Sequence, residues 1–181
     1  MQTTLRYMRL NEQFFVFSRH APHMVLRDAR DEIWDESRKE KERVIAEFCV
    51  DLIEKYHYRL AHLHVQELIP IVSQNGWQYP EADILVEGIG GNSRLIIKAF
   101  PHEKYHANLV AGIEELFLLA RAIPSRKTTP LFIIPYTRWY GAEGETREEF
   151  LVINTSIFPT SDAWIAAGRP TEKAVPLREE P

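Results

Sequence analysis

Apolar positions along this chain switch between extended and helical spacing, and the switches mark out its elements. Short apolar runs at 5–8, 14–17 and 24–26, with Asn11-Glu12 as a turn between the first two, predict a small strand or hairpin region at the start. Over 31–56, Ile45, Cys49, Leu52, Ile53 and Tyr56 recur at three- and four-residue steps, the stripe of an amphipathic helix. Glu40, Glu47, Asp51 and Glu54 fall on its opposite face, and the mixed charges of 37–43 read as a solvated helical surface. Residues 65–72 predict a strand made irregular by Pro70. A loop with the Asn75-Gly76 turn signal follows, then strands at 82–86 and 95–100 joined by a glycine-rich turn at 88–92. That turn has neither GxGxxG nor Walker spacing, so it is not a phosphate cradle.

A second helix is predicted over 101–123. Pro101 suits its start, and Leu109, Val110, Ile113, Leu116, Phe117 and Ala120 form its buried stripe. The continuous apolar runs 131–134 and 150–153 predict strands, 162–167 a short helix and 169–181 a flexible tail. Helix, three strands, helix and two strands imply an α/β fold, a mixed sheet flanked by helices. The expected organisation is one domain over 1–168, divided into an N-terminal strand or hairpin region (1–29) and an α/β core (30–168).

Composition narrows the function classes. The apolar runs are far shorter than the roughly 20 residues of a membrane span, and the first residues lack the apolar stretch of a signal peptide. A single cysteine, Cys49, forms no internal disulfide, and a cytoplasmic location with Cys49 simply packed is expected. The net charge of −4 lacks the basic surplus typical of nucleic-acid binders, which argues against tight nonspecific DNA binding but is compatible with a local basic groove.

The chemistry concentrates where Tyr79-Pro80-Glu81-Ala82-Asp83 precedes Arg94-Leu95-Ile96-Ile97-Lys98 on the next strand. Two-residue periodicity puts Ile96 and Lys98 on one face and Ile97 on the other; Asp83 shares its face with Leu85 and Glu87. A hydrolytic phosphodiester site needs carboxylates to hold Mg²⁺ through oxygen and a lysine to stabilise charge or orient water. Asp83 and Lys98 meet that description if their strands pair, and Glu67 on the preceding strand is a third candidate. Glu87 is too distant to add a carboxylate, since four residues of strand span roughly 13 Å.

In this order, helix, Glu67, Pro80-x-x-Asp83 and Leu95-Ile96-Ile97-Lys98-Ala99, the chain resembles the N-terminal nuclease domain of type I restriction enzyme R subunits, of the PD-(D/E)xK group, over residues 40–137. The resemblance implies a restriction-endonuclease-like fold and Mg²⁺-dependent cleavage of DNA. It also implies Asp83 as metal-binding acid, Lys98 as catalytic lysine, Glu67 as upstream glutamate and the Ile97 carbonyl as a metal ligand. The acid two residues before the lysine is replaced by Ile96, which binds no metal. The expectation is therefore an impaired or altered phosphodiesterase site on a domain that binds DNA, a protein partner or a second copy of itself.

Two other readings compete. His102-Glu103-Lys104-Tyr105-His106 is a literal HExxH, in which a zinc peptidase uses both imidazoles for Zn²⁺ and the glutamate as general base. It sits at the first turn of its helix, carries a charged residue inside, and has no clear third ligand downstream. The remaining alternative is a scaffold or assembly protein without ligand chemistry.

Overall fold

A computed structural model describes residues 36–73, 76–88, 91–123 and 130–178. The expected hairpin region at 1–29 and the first residues of the predicted helix, 31–35, lie outside the described residues. The architecture is α/β: a six-stranded mixed sheet with one long helix on each face. Helix α1 (Glu36–Glu54) leads through a short 3-10 turn (Leu60–His62) into β1 (Leu63–Leu68). β2 (Ile71–Ser73) and β3 (Gly76–Gln78) form a separate two-stranded hairpin. β4 (Glu81–Glu87), β5 (Ser93–Phe100), α2 (His102–Ala122), β6 (Phe132–Tyr140), β7 (Thr146–Phe150), β8 (Ile153–Asn154) and α3 (Ser161–Ala166) complete the order. No described helix is long and apolar enough to cross a membrane.

The sheet runs β1-β4-β5-β6-β7, with β8 also on β6. Among the described strands only β5 and β6 pair in parallel, as their connection through α2 requires. Side-chain alternation sorts the core into two layers. Leu95, Ile97 and Ala99 of β5 meet Val44, Phe48, Cys49 and Leu52 of α1. Ile96 and Ile133 meet Ile113, Leu116, Phe117 and Ala120 of α2 on the other side. Each of the Val, Leu, Ile and Phe side chains among these, fully buried, contributes about 1.5–3 kcal/mol. Phe48 stacks on Tyr136 of β6 with centroids 4.0 Å apart, tying α1 to the centre of the sheet. Burial pushes the Cys49 thiol up, so it stays protonated inside this layer, as its packing role requires. On the other face, Gly112 lies against the Phe100 ring with no room for a Cβ, which lets α2 seat closely on the end of β5.

Several boundaries differ from the sequence expectation. The predicted strand 65–72 is two strands, because Pro70, which cannot donate to a ladder, separates β1 from the β2–β3 hairpin. β6 runs six residues past Ile134, through Pro135. β7 and β8 are one interrupted strand: Tyr136↔Phe150 and Ile133↔Ile153 share a register, and the break falls opposite Ile134 and Pro135, where the proline offers no N–H. The expected flexible tail from residue 169 is corrected as far as 178. Val175 is buried in the α1-side core, the Tyr58 hydroxyl donates to the Pro176 carbonyl at 3.0 Å, and the Arg178 N–H donates to the Tyr56 carbonyl at 3.0 Å.

Candidate functional site

The antiparallel β4–β5 ladder ends at Ile84↔Ile97, one residue short of Asp83 and Lys98. There the strands part, and so do the two side chains. Ala82 and Leu85 pack on the α2 side, while Ile84 and Val86 pack on the α1 side, so alternation breaks at Asp83. The partner strand is irregular at the same level, since Gln66 has a φ of 56°. Asp83 therefore faces α1 and does not share a face with Leu85, contrary to strict two-residue periodicity. One of its oxygens accepts from the Ala99 N–H at 2.7 Å, and the other faces the Lys41 ammonium at 2.6 Å.

Lys98 goes the other way. It follows Ile96 to the α2 side, as periodicity predicts, and its ammonium donates to Glu115 of α2 at 2.5 Å. A carboxylate thus stands beside Lys98 on the face where Ile96 replaces the motif acid, and it comes from a helix. Glu81, at the mouth of the site, lies within hydrogen-bonding reach of Asp83. Burial, and after it the charge of Asp83, push its carboxyl above the usual carboxylate range, while Lys41 and Lys98 pull it down. Burial also disfavours the charge on Lys41, but the adjoining Asp83 carboxylate, with Glu81 and Glu42, outweighs it and raises the lysine. Lys41, Asp83, Glu81, Lys98 and Glu115 form a run of charged side chains, two ammoniums and three carboxylates, across the end of β4 and β5.

The other residues expected at the site are placed differently. Glu67 is exposed on β1 opposite Ala82, and makes no ion pair or side-chain hydrogen bond with a described residue. It is not joined to Asp83. Ile97 lies inside the sheet, flanked by Ile84 and Ile134. As they stand, these residues do not fit a magnesium shell. Mg²⁺ takes oxygen ligands at about 2.0–2.1 Å, whereas one Asp83 oxygen faces an ammonium and the other a backbone N–H. No group of three His, Cys, Asp or Glu residues placed to hold a metal occurs among the described residues.

The HExxH histidines are engaged separately. His102 opens α2 and stacks on Trp139 of β6, with centroids 3.8 Å apart. Its N–H donates to Glu40 of α1 at 3.1 Å, so a carboxylate satisfies one of the free donors at this helix start. His106 Nε2 lies 3.3 Å from Glu149 of β7. The charged run on α1 is therefore more than a solvated surface: Glu40 caps α2 and Lys41 closes on Asp83.

A second polar cluster, unforeseen from sequence, lies farther along α1. Arg138 of β6 is ion-paired to Asp51, to Glu148 at 2.6 Å, and more loosely to Glu47 at 4.0 Å. The Tyr140 hydroxyl donates to Glu47 at 2.6 Å, the Tyr136 hydroxyl donates to Glu148 at 3.0 Å, and Lys55 pairs with Asp51 at 3.0 Å. Burial alone disfavours the charge on Arg138, but its hydrogen-bonded acids and Tyr136 hold it firmly protonated. Glu47 and Asp51 fall on the polar side of the α1 helical pattern, yet both are buried here.

Of the residues missed at the first cluster, Glu81 had a signal, its place two residues before Asp83 on a strand. Lys41 and Glu115 had none, because only the packing of the helices brings them to the sheet. No protein-family model matches the chain, and no curated protein matches it in sequence.

Proposed function

We propose that this chain is a restriction-endonuclease-like domain, related to type I R-subunit nuclease modules, whose phosphodiesterase site is impaired and which binds nucleic acid without cutting it efficiently. The observation that carries the reading is the Lys41–Asp83 pair at the point where β4 and β5 part. An ammonium takes the place beside the buried carboxylate that a divalent cation needs, and Lys98 is drawn to Glu115 on the far side of the sheet. β5 reaches its carboxyl end at this level, beside the parallel strand β6, and α/β sheets present their ligand crevice at the carboxyl ends of such strands. Phosphate oxygens are the natural ligands for Lys41 and Lys98 once their carboxylates are displaced.

The test pairs binding with cleavage. The purified chain retards a short DNA duplex at low ionic strength, its affinity falls steeply with added salt, and Lys41→Met with Lys98→Met weakens it. Supercoiled plasmid with Mg²⁺ or Mn²⁺ is nicked no faster than in an Asp83→Ala control. Absence of any salt-sensitive affinity removes the binding function, and metal-dependent nicking lost in Asp83→Ala shows the site is not impaired.

A specific observation also favours the assembly reading. Leu68, Val72, Trp77 and Tyr79 are all exposed, and all belong to or flank the β2–β3 hairpin, with Val72 directly opposite Trp77. The neighbouring charges are the carboxylates Glu67 and Glu81, which suit a protein partner better than a phosphate backbone. Under that reading, Trp77→Ser abolishes a self-association or co-purifying complex and leaves DNA retardation unchanged.

A further inference from the structure

Helices α2 and α3 leave a cavity of about 290 Å³ between them. Its floor is apolar, formed by Leu109, Ile113, Leu151 and Trp164. Ile113 and Trp164 belong to the α2-side core, so this floor is fixed. The Trp164 indole N–H is satisfied by the Pro170 carbonyl at 2.8 Å and leaves only the ring to line the space. Val110 and Ile165 stand at the lips and are exposed despite their chemistry. α3 is capped at its start by the Thr160 hydroxyl, and its chain turns back through Gly168 and Arg169, both left-handed at φ 84° and 60°. That turn brings Arg169 into the lining.

The lining carries two charges of opposite sign, Glu114 of α2 and Arg169. Neither makes an ion pair or side-chain hydrogen bond with any described residue. An apolar hollow with one carboxylate and one guanidinium left over is complementary to an apolar body bearing its own ammonium and carboxylate. Size narrows the class further. A dry apolar cavity of ~150 Å³ accepts a benzene-sized molecule, so this space suits roughly a dozen non-hydrogen atoms.

We propose that this cavity binds a free apolar α-amino acid of about phenylalanine's size. The side chain lies on Trp164 and Ile113, the carboxylate turns to Arg169 and the ammonium to Glu114. A monocarboxylate would meet the like charge of Glu114, and a monoamine that of Arg169. The site is separate from the Asp83 cluster and does not depend on the nuclease-like reading.

Titration of the full chain with L-phenylalanine, followed by calorimetry and by the Trp164 indole N–H signal, tests this. Phenylacetate lacks the ammonium and phenethylamine lacks the carboxylate. Saturable binding of L-phenylalanine is expected, weaker by roughly tenfold or more for each analogue and in Arg169→Gln or Glu114→Gln. Both substitutions are at exposed positions, so the thermal midpoint stays the same. Val110→Trp, which fills the mouth from an exposed lip, abolishes binding. Equal binding of the three compounds overturns the proposal, as does failure of L-phenylalanine to saturate or full binding in Val110→Trp.

Discussion

Helix α1 carries two sets of charges into the sheet, and they are built differently. At its C-terminal half, the Arg138 side chain is 4% exposed and pairs with Asp51, itself 1% exposed, and with Glu148, while the Tyr136 and Tyr140 hydroxyls donate to Glu148 and Glu47. At its N-terminal half, Lys41 meets the equally buried Asp83 through one contact, and 29% of the lysine side chain stays in solvent. A planar guanidinium held by several acceptors is locked into the fold, and nothing can replace it without leaving carboxylates buried and unpaired. A flexible ammonium at the mouth of a site can rehydrate and leave. The Arg138 cluster therefore holds α1 on β6 and β7, whereas the Lys41–Asp83 pair is a contact that solvent can replace.

Substitutions that separate the two clusters sharpen this contrast. Arg138→Met is the most damaging, because it removes the buried cation that Asp51 and Glu148 face; a loss of about 3–5 kcal/mol is expected in denaturant unfolding. A loss under 1 kcal/mol would mean the cluster is not structural. Asp83→Ala costs less, about 1–3 kcal/mol, since Lys41 can turn to solvent and the main penalty is the buried Ala99 N–H left without its acceptor. If Asp83→Ala cost the same as Arg138→Met, both ends of α1 would be equally structural and the contrast would fail.

The smallest effect is a pH dependence. Glu81 is raised above the usual carboxylate range by burial first and then by Asp83, so the folded chain holds its proton more tightly than the unfolded chain does. Its contribution to stability is complete below the ordinary carboxylate value and is lost as pH rises through the folded value. Glu81→Gln should therefore be more stable than the unsubstituted chain at neutral pH, with the difference vanishing in acid. Unfolding midpoints measured across that range check it, and a variant less stable at neutral pH would reverse the sign.

Much of the fold was legible in the residues. The spacing of Ile113, Leu116, Phe117 and Ala120 gave α2 its buried stripe, although Val110, expected in that stripe, is exposed, and the opposite faces of Ile96 and Ile97 followed from strand pleat alone. Tertiary contacts were not legible. Periodicity treats Glu47, Asp51 and Lys41 as solvent-facing, because it does not know that a second polar surface will arrive from β6 or that Asp83 will break its strand's alternation. Pro135 hid the length of β6, since the interruption it causes falls in the neighbouring strand. The motif pair Asp83 and Lys98 was brought to one level of the sheet, but the parting of β4 and β5 sends the two side chains to opposite helices.

The most direct measurement tracks the Ala99 amide, whose N–H is bonded to Asp83, by NMR during a Mg²⁺ titration of the unsubstituted chain. With Lys41 holding the cation position, that resonance stays in place at physiological magnesium. A saturable shift of the Ala99 amide, absent in Asp83→Asn, would contradict the account and mark a working metal site.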